Sequence, residues 1–151
     1  MRVEESIRIE APRERVWDFV SKPEHYPEFM VGTQWKPVEG EPSTGPRARF
    51  SIAIEVGSID LGGTVEFIEW DPPHEVAWTN ITGIDQRGRW VLRDCNGQSD
   101  ATLRVSYQAP GGVLALVASQ LAAPLIRRDV RRSLAALKEA VEGGPVAGGT
   151  Q

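Results

Sequence analysis

The sequence is poor in the residues that build covalent or metal frameworks. Its 151 residues include a single cysteine, Cys95, which excludes an internal disulfide and a zinc site built on paired cysteines. Two histidines, His25 and His74, stand far apart in the chain, and no metal site is read from them. The glycine-rich dinucleotide and phosphate loops, the HExxH helix and the CxxC pair are all missing, so no cofactor is expected. The richest apolar run, Gly112 to Ile126, is broken by Ser119, Gln120 and Pro124. It falls short of the roughly 18 unbroken apolar residues that a membrane-spanning helix needs. A basic excess is missing too. The formal net charge is −4, and neutralising phosphates takes a surplus of Lys and Arg, which argues against a nucleic-acid partner. Met1 to Glu10 is charged and lacks the apolar core of a secretory signal. With no disulfide framework, the expected compartment is the cytoplasm.

What remains is ordinary globular material, 40% hydrophobic and 25% charged, enough for one core in one domain. Val3 to Glu10 alternates and predicts a first strand. Pro12 then suits a first helical turn, where its missing N–H costs nothing. Val16, Trp17, Phe19 and Val20 supply that helix's apolar stripe. A second short helix, Pro23 to Met30, contains Pro27 and offers Tyr26, Phe29 and Met30 for packing.

Strand texture follows, at Thr33–Val38, Arg47–Val56, Ile59–Trp70, Glu75–Thr82, Gln86–Leu92 and Thr102–Gln108. Gly57-Ser58, Asp71-Pro72-Pro73 and Asn96-Gly97 read as turns between them. Gly62-Gly63 reads as a bulge or bend. Tight turns between consecutive strands imply an antiparallel meander. Pro110-Gly111-Gly112 then introduces a long helix, Val113 to Glu142, which Gly143-Gly144-Pro145 is expected to end, leaving 143–151 as a disordered tail.

The long helix carries an anomaly. In its second half Ile126, Val130, Leu134, Leu137 and Val141 repeat at steps of three and four, one apolar face. Extended backwards, that face meets mostly small residues: Ala123, Ser119, Leu116, Ala115 and Gly112. The bulky Leu114, Val117, Leu121 and Leu125 fall on the other side. Either Pro124 kinks the helix and rotates the phase, or the small face leaves space over the sheet and the bulky one is exposed, or the small residues simply allow close packing. Arg127, Arg128, Arg131 and Arg132 follow directly. They read as a solvated face favoured toward a helix C-terminus. Beside Leu114, Leu121 and Leu125 they also read as a peripheral membrane or protein contact.

The order strand, two short helices, six strands, long helix resembles the START-like, helix-grip superfamily, and within it the polyketide cyclase/dehydrase and lipid-transport group. Ile7-Arg8-Ile9-Glu10-Ala11-Pro12, Val16-Trp17-Asp18-Phe19-Val20 and Pro23-Glu24-His25-Tyr26-Pro27-Glu28-Phe29 carry the resemblance, with Asp71-Pro72-Pro73, Gly88-Arg89-Trp90 and Arg131 to Lys138. It implies an α+β fold over residues 1–142: a curved antiparallel sheet of six to seven strands wrapped around a long C-terminal helix, with two short helices after the first strand. It also implies a pocket between sheet and helix for a small hydrophobic, lipid- or polyketide-like molecule.

Strand and helix phase put Phe50, Ile52, Ile54, Trp78, Asn80, Trp90, Leu92, Tyr107, Ser119 and Ala123 on its walls, with Asn80, Gln86, Tyr107 and Ser119 as polar orienting groups. The same aromatics would equally serve as core filling. Binding or transport is the first functional reading. A cyclase, aromatase or dehydratase is the second, with Tyr107 as its acid/base candidate. A toxin or membrane-complex accessory module is the third. Cys95 has only Arg93 near it in sequence, which argues against a nucleophile. Glu66 and Glu69 alternate to opposite faces of their strand and form no carboxylate pair.

Overall fold

Alternating apolar and polar residues resolve into seven strands: β1 (Arg2–Ile9), β2 (Thr33–Pro37), β3 (Arg49–Val56), β4 (Ile59–Asp71), β5 (Glu75–Gly83), β6 (Asp85–Cys95) and β7 (Gln98–Gln108). The computed structural model describes the backbone of residues 1–56, 59–108 and 112–149, and the side chains of 1–55, 62–108 and 121–143. The strands form one antiparallel sheet in the order β1-β7-β6-β5-β4-β3-β2. β1 therefore closes beside the last strand, not the second. The chain between β1 and β2 must cross the sheet, and it does so as helix α1 (Arg13–Val20) and a 3₁₀ helix (Pro23–Glu28). Helix α2 (Gly112–Gly149) returns along β1. This is the expected helix-grip α+β architecture, with seven strands.

Local chemistry accounts for where the elements depart from expectation. The second short helix is 3₁₀ and ends at Glu28; Pro27 has no N–H to give an α-turn. β6 and β7 extend to Cys95 and Gln98, which pair directly. Asn96 and Gly97 both take positive φ, 55° and 85°, the backbone of a two-residue hairpin turn, so pairing runs unbroken to the tip. The Gly57-Ser58 and Pro110-Gly111 turns lie outside the described residues, although Val56 pairs with Ile59 across the former.

The register of β4 against β5 shifts at Thr64/Val65 and again at Phe67/Glu69, beyond the glycine pair expected to bulge. The second shift leaves Phe67 buried while Ile68 and Glu69 are both exposed. Strict alternation fails there. Glu66 pairs with Arg49 at 2.9 Å, and Glu69 with Arg89 at 2.7 Å.

The core lies between the concave sheet face and the helices. Ring-to-ring contacts link Trp17, Trp70, Phe67, Phe50, Trp35, Trp78, Tyr26, Phe29, Trp90 and Phe19 into one network, mostly edge to face. The Tyr26 hydroxyl donates to the Val20 carbonyl at 2.6 Å, fastening the 3₁₀ helix to the end of α1. Gly88 is a requirement of this packing. A methyl group there would stand 2.0 Å from the Trp78 ring, so the indole lies directly on bare β6 backbone. Its N–H reaches Gln86 Oε1 at 3.2 Å.

Along α2, Ile126, Val130, Leu134, Leu137 and Val141 are buried as their spacing predicts. The Gly143-Gly144-Pro145 stop does not end the helix, which is assigned to Gly149. Proline at 145 withholds one hydrogen bond, that to the Val141 carbonyl, and Arg15 Nη2 donates to that oxygen instead. Glu5, an inward position on edge strand β1, joins Arg127 at 2.7 Å and Arg131 at 3.2 Å. Lys138 donates to the Arg8 carbonyl, and the Glu142 carboxylate accepts from Glu10 N–H. β1 and α2 are thus laced together along their length.

Candidate functional site

Among the aromatic side chains of the described residues, Tyr107 alone stands outside the ring network. It lies on β7, inward, opposite Gln86 of β6 in register. Asn80 is an inward position on β5, one strand further on, followed by the turn that leads into β6. The concave face therefore changes character along its length. Beneath α1 and the 3₁₀ helix it is packed rings. Toward the start of α2 it carries the polar row Asn80, Gln86 and Tyr107.

Each member of that row is differently satisfied. Gln86 is buried and takes the Trp78 N–H. Asn80 gives its amide N–H to the Thr82 carbonyl at 3.3 Å, while its Oδ1 is buried and finds no partner among the described residues. A second buried orphan, Trp90 Nε1, lies in the aromatic core. It is near enough to the Tyr26 phenol to affect its acidity, without completing a hydrogen bond.

Tyr107, at the end of the row, shares a narrow cleft with Asp129 of α2. The cleft is walled by Met30, Ile54, Leu103, Val105, Ile126 and Val130, with Thr33, Glu55, Tyr107, Asp129 and Ser133 as its polar residues. Its volume among the described residues is about 30 Å³, room for a water-sized occupant. Tyr107 has its pKa pushed up to about 12, first by burial and then by the negative charge of Asp129. At neutral pH it is a phenol, a donor beside a carboxylate acceptor.

Gly32 makes the Asp129 position available. Its φ is +81°, and a methyl group there would stand 2.6 Å from Asp129 Oδ2. Ser133 Oγ donates to the Asp129 carbonyl at 2.8 Å and accepts from Val31 N–H at 2.9 Å. One hydroxyl thus pins this turn of α2 to the segment entering β2.

The residues expected on the pocket walls separate into three groups. Ile54 and Tyr107 line the cleft, and Asn80 stands in the polar row behind it. Phe50, Ile52, Trp78, Trp90 and Leu92 are buried in the packed core, with their rings in contact where they have them. Ala123 lies on the outer side of α2 beside Arg127 and Arg128, and the side chain of Ser119 lies outside the described residues. Asp129, Gly32 and Ser133 were not anticipated. Asp129 had a signal in the sequence: it is a lone acid among four arginines, next to the apolar stripe at Val130. Among the described residues no three His, Cys, Asp or Glu side chains gather as a metal site, and no helix is long and apolar enough to cross a membrane.

Comparison with known proteins agrees with the fold. A family model described as polyketide cyclase / dehydrase and lipid transport matches residues 1–142. No curated protein matches the sequence. Among solved structures, protein TTHA0849 of Thermus thermophilus superposes with a TM-score of 0.80 at 20% identity, covering 95% of this chain and 99% of that one. The Zhui aromatase/cyclase of Streptomyces sp. R1128 superposes with a TM-score of 0.74 at 16% identity, covering 97% and 95%. The di-domain aromatase/cyclase BexL, from the BE-7585A biosynthetic pathway, gives 0.70 at 21% identity over 94% of this chain and 46% of that one. At such identities the likeness is one of fold.

Proposed function

The chain belongs to the polyketide cyclase / dehydrase and lipid transport family, and from that premise we propose that it binds a small hydrophobic molecule of lipid or polyketide type between the sheet and α2. The observation that supports this is the polar row Asn80, Gln86 and Tyr107 on a sheet face whose other buried residues are mostly apolar. A buried carbonyl oxygen such as Asn80 Oδ1 costs about 1–3 kcal/mol when nothing donates to it. An apolar residue would be the cheaper choice for a core. A ligand hydroxyl would satisfy that oxygen, while Tyr107 offers a donor to a ligand carbonyl. The described cleft takes only a water-sized group, whereas a drug-sized ligand needs several hundred Å³. The row and Asp129 then form the inner, polar end of the site, and the apolar remainder of the ligand extends toward the N-terminal half of α2.

The test is native mass spectrometry of the purified full chain, with extraction of any adduct, together with titration by an apolar fluorescent fatty-acid analogue. A stoichiometric adduct or saturable binding, weakened about tenfold in Asn80→Leu by loss of one polar contact, is the expected result. A bare mass together with no saturable probe binding rejects the reading.

A second reading rests on the Tyr107–Asp129 pair. A neutral phenol and a carboxylate on one cleft can hold and move a proton in carbonyl chemistry, as a cyclase, aromatase or dehydratase requires. Tyr107→Phe keeps the shape and removes the donor. If turnover of a poly-β-keto thioester survives that change, Tyr107 is not the acid.

A further inference from the structure

The outer face of α2 carries charge that the fold leaves unused. Arg127, Arg128, Arg131 and Arg132 occupy two successive turns. Glu5 engages Arg127 and Arg131. Arg128 has only its neighbour Asp129, at 3.7 Å, and Arg132 has no carboxylate partner among the described residues. The helix dipole does not explain them. It acts within the last turn, and α2 runs on to Gly149, so the cluster sits mid-helix.

Leu121, Pro124, Leu125, Arg128 and Arg132 follow one another at helical spacing on the side opposite Ile126, Val130, Leu134 and Leu137. Leu121 is 73% exposed, among the most exposed large apolar side chains described. Alongside this row lies a shallow depression of about 460 Å³ lined by Ala123, Pro124 and the four arginines.

We propose that this face is a docking site for an anionic lipid bilayer, with Arg128 and Arg132 on the headgroups and Leu121 in the interfacial layer. Charge complementarity selects the occupant. The chain is acidic overall, at −4, so a cationic patch on one helix face orients its approach to a negative surface. The exposed leucine about two to three turns away distinguishes a bilayer from a soluble anion, because a bilayer offers an apolar layer directly beneath its phosphates. Guanidinium groups suit the headgroup phosphates, which they can grip with two parallel hydrogen bonds. Arg127 and Arg131, held by Glu5, keep the turn rigid at the surface. The proposal is independent of what the cleft binds.

The experiment is co-sedimentation of the full chain with vesicles of phosphatidylcholine alone and of phosphatidylcholine with about one-third phosphatidylglycerol, at low salt and at about 0.5 M salt, where charge attraction is screened. Binding is expected to the anionic vesicles only, and to fail at high salt. Arg128→Glu/Arg132→Glu is expected to weaken it by about tenfold or more, and Leu121→Asp to weaken it as well. Circular dichroism and urea midpoints like those of the parent chain show that both variants fold. Equal binding to both vesicle types, or no loss in the arginine variant, overturns the proposal. So does binding lost in the arginine variant but intact in Leu121→Asp, which assigns the patch to a soluble anion or an acidic protein instead.

Discussion

Arg15 of α1 donates a guanidinium hydrogen bond to the main-chain carbonyl of Val141 in α2, an oxygen whose helical donor would be residue 145, a proline. The bond replaces inside the tertiary structure what the sequence removed from the secondary structure. It also ties α1 to the end of the packed part of α2. Arg15→Ala is expected to cost roughly 1 kcal/mol, the usual penalty for stranding a partly buried carbonyl. Pro145→Ala restores the helical N–H, so the same arginine change is expected to cost much less in that background. Urea denaturation of the four-membered cycle measures the coupling. Purely additive losses remove the compensation.

At Gly88 a single added methyl group has no room. A Cβ would lie 2.0 to 2.6 Å from three atoms of the Trp78 ring, which is itself buried and held by Gln86. The ring cannot yield without disturbing Trp35, its edge-to-face neighbour at 5.2 Å. Gly88→Ala is therefore expected to destabilise by about 1–3 kcal/mol, as overpacking does, with a change in tryptophan emission of the folded state. A loss under about 0.5 kcal/mol, the scale of a neutral surface change, means that the indole does not lie on β6 in this way.

Gly88 also shows what the sequence could and could not convey. It was visible as part of a Gly-Arg-Trp run, but the partner that requires it is ten residues earlier on another strand. Period-two alternation gave the inward rows of β3, β5, β6 and β7 correctly, including Trp78, Asn80, Gln86 and Tyr107. Hydrophobic spacing likewise gave the buried face of α2 from Ile126 to Val141. What alternation cannot do is separate a packed wall from an open one, since Phe50, Trp90 and Tyr107 share the same inward phase. The crossing of α1 and the 3₁₀ helix decides which rings are covered, and crossing is a tertiary fact. Asp129 was hidden for a related reason. It flanks the apolar stripe of its helix, and only the positive-φ Gly32 across from it leaves room for the carboxylate.

The two tyrosines of the chain, Tyr26 and Tyr107, are expected to titrate late. Burial raises both, and Tyr107, the less extreme, reaches about 12. The unfolded chain releases a tyrosine proton near pH 10. Between roughly pH 10 and 12 the unfolded state therefore binds fewer protons than the folded one, and stability falls as pH rises through that window. Absorbance of phenolate is expected to show no transition near pH 10 while the protein remains folded. Tyr107→Phe should remove the first transition, and Asp129→Asn should lower it without restoring an ordinary value, because burial is the larger cause. A wild-type midpoint near 10 contradicts the placement of Tyr107 in the cleft.

Glu5 gives the opposite sign at the acid end. Its carboxyl is held below the ordinary glutamate range by hydrogen bonds from Arg131 and then Arg127, with their charges adding. A depressed folded pKa contributes stability above the unfolded value of about 4.5, and that contribution disappears as pH falls through the lower folded value. Glu4, Glu69, Asp100 and Glu142 share the direction, but Glu5 joins the edge strand to the middle of α2. Its inward charge also discourages pairing of that edge with another chain. Glu5→Gln is accordingly expected to lower the urea midpoint at pH 7 and to lower it less at acid pH, as the parent carboxyl takes up its proton through its depressed folded value. A loss of the same size at neutral and acid pH means that the side chain's shape, not its charge, holds β1 to the helix.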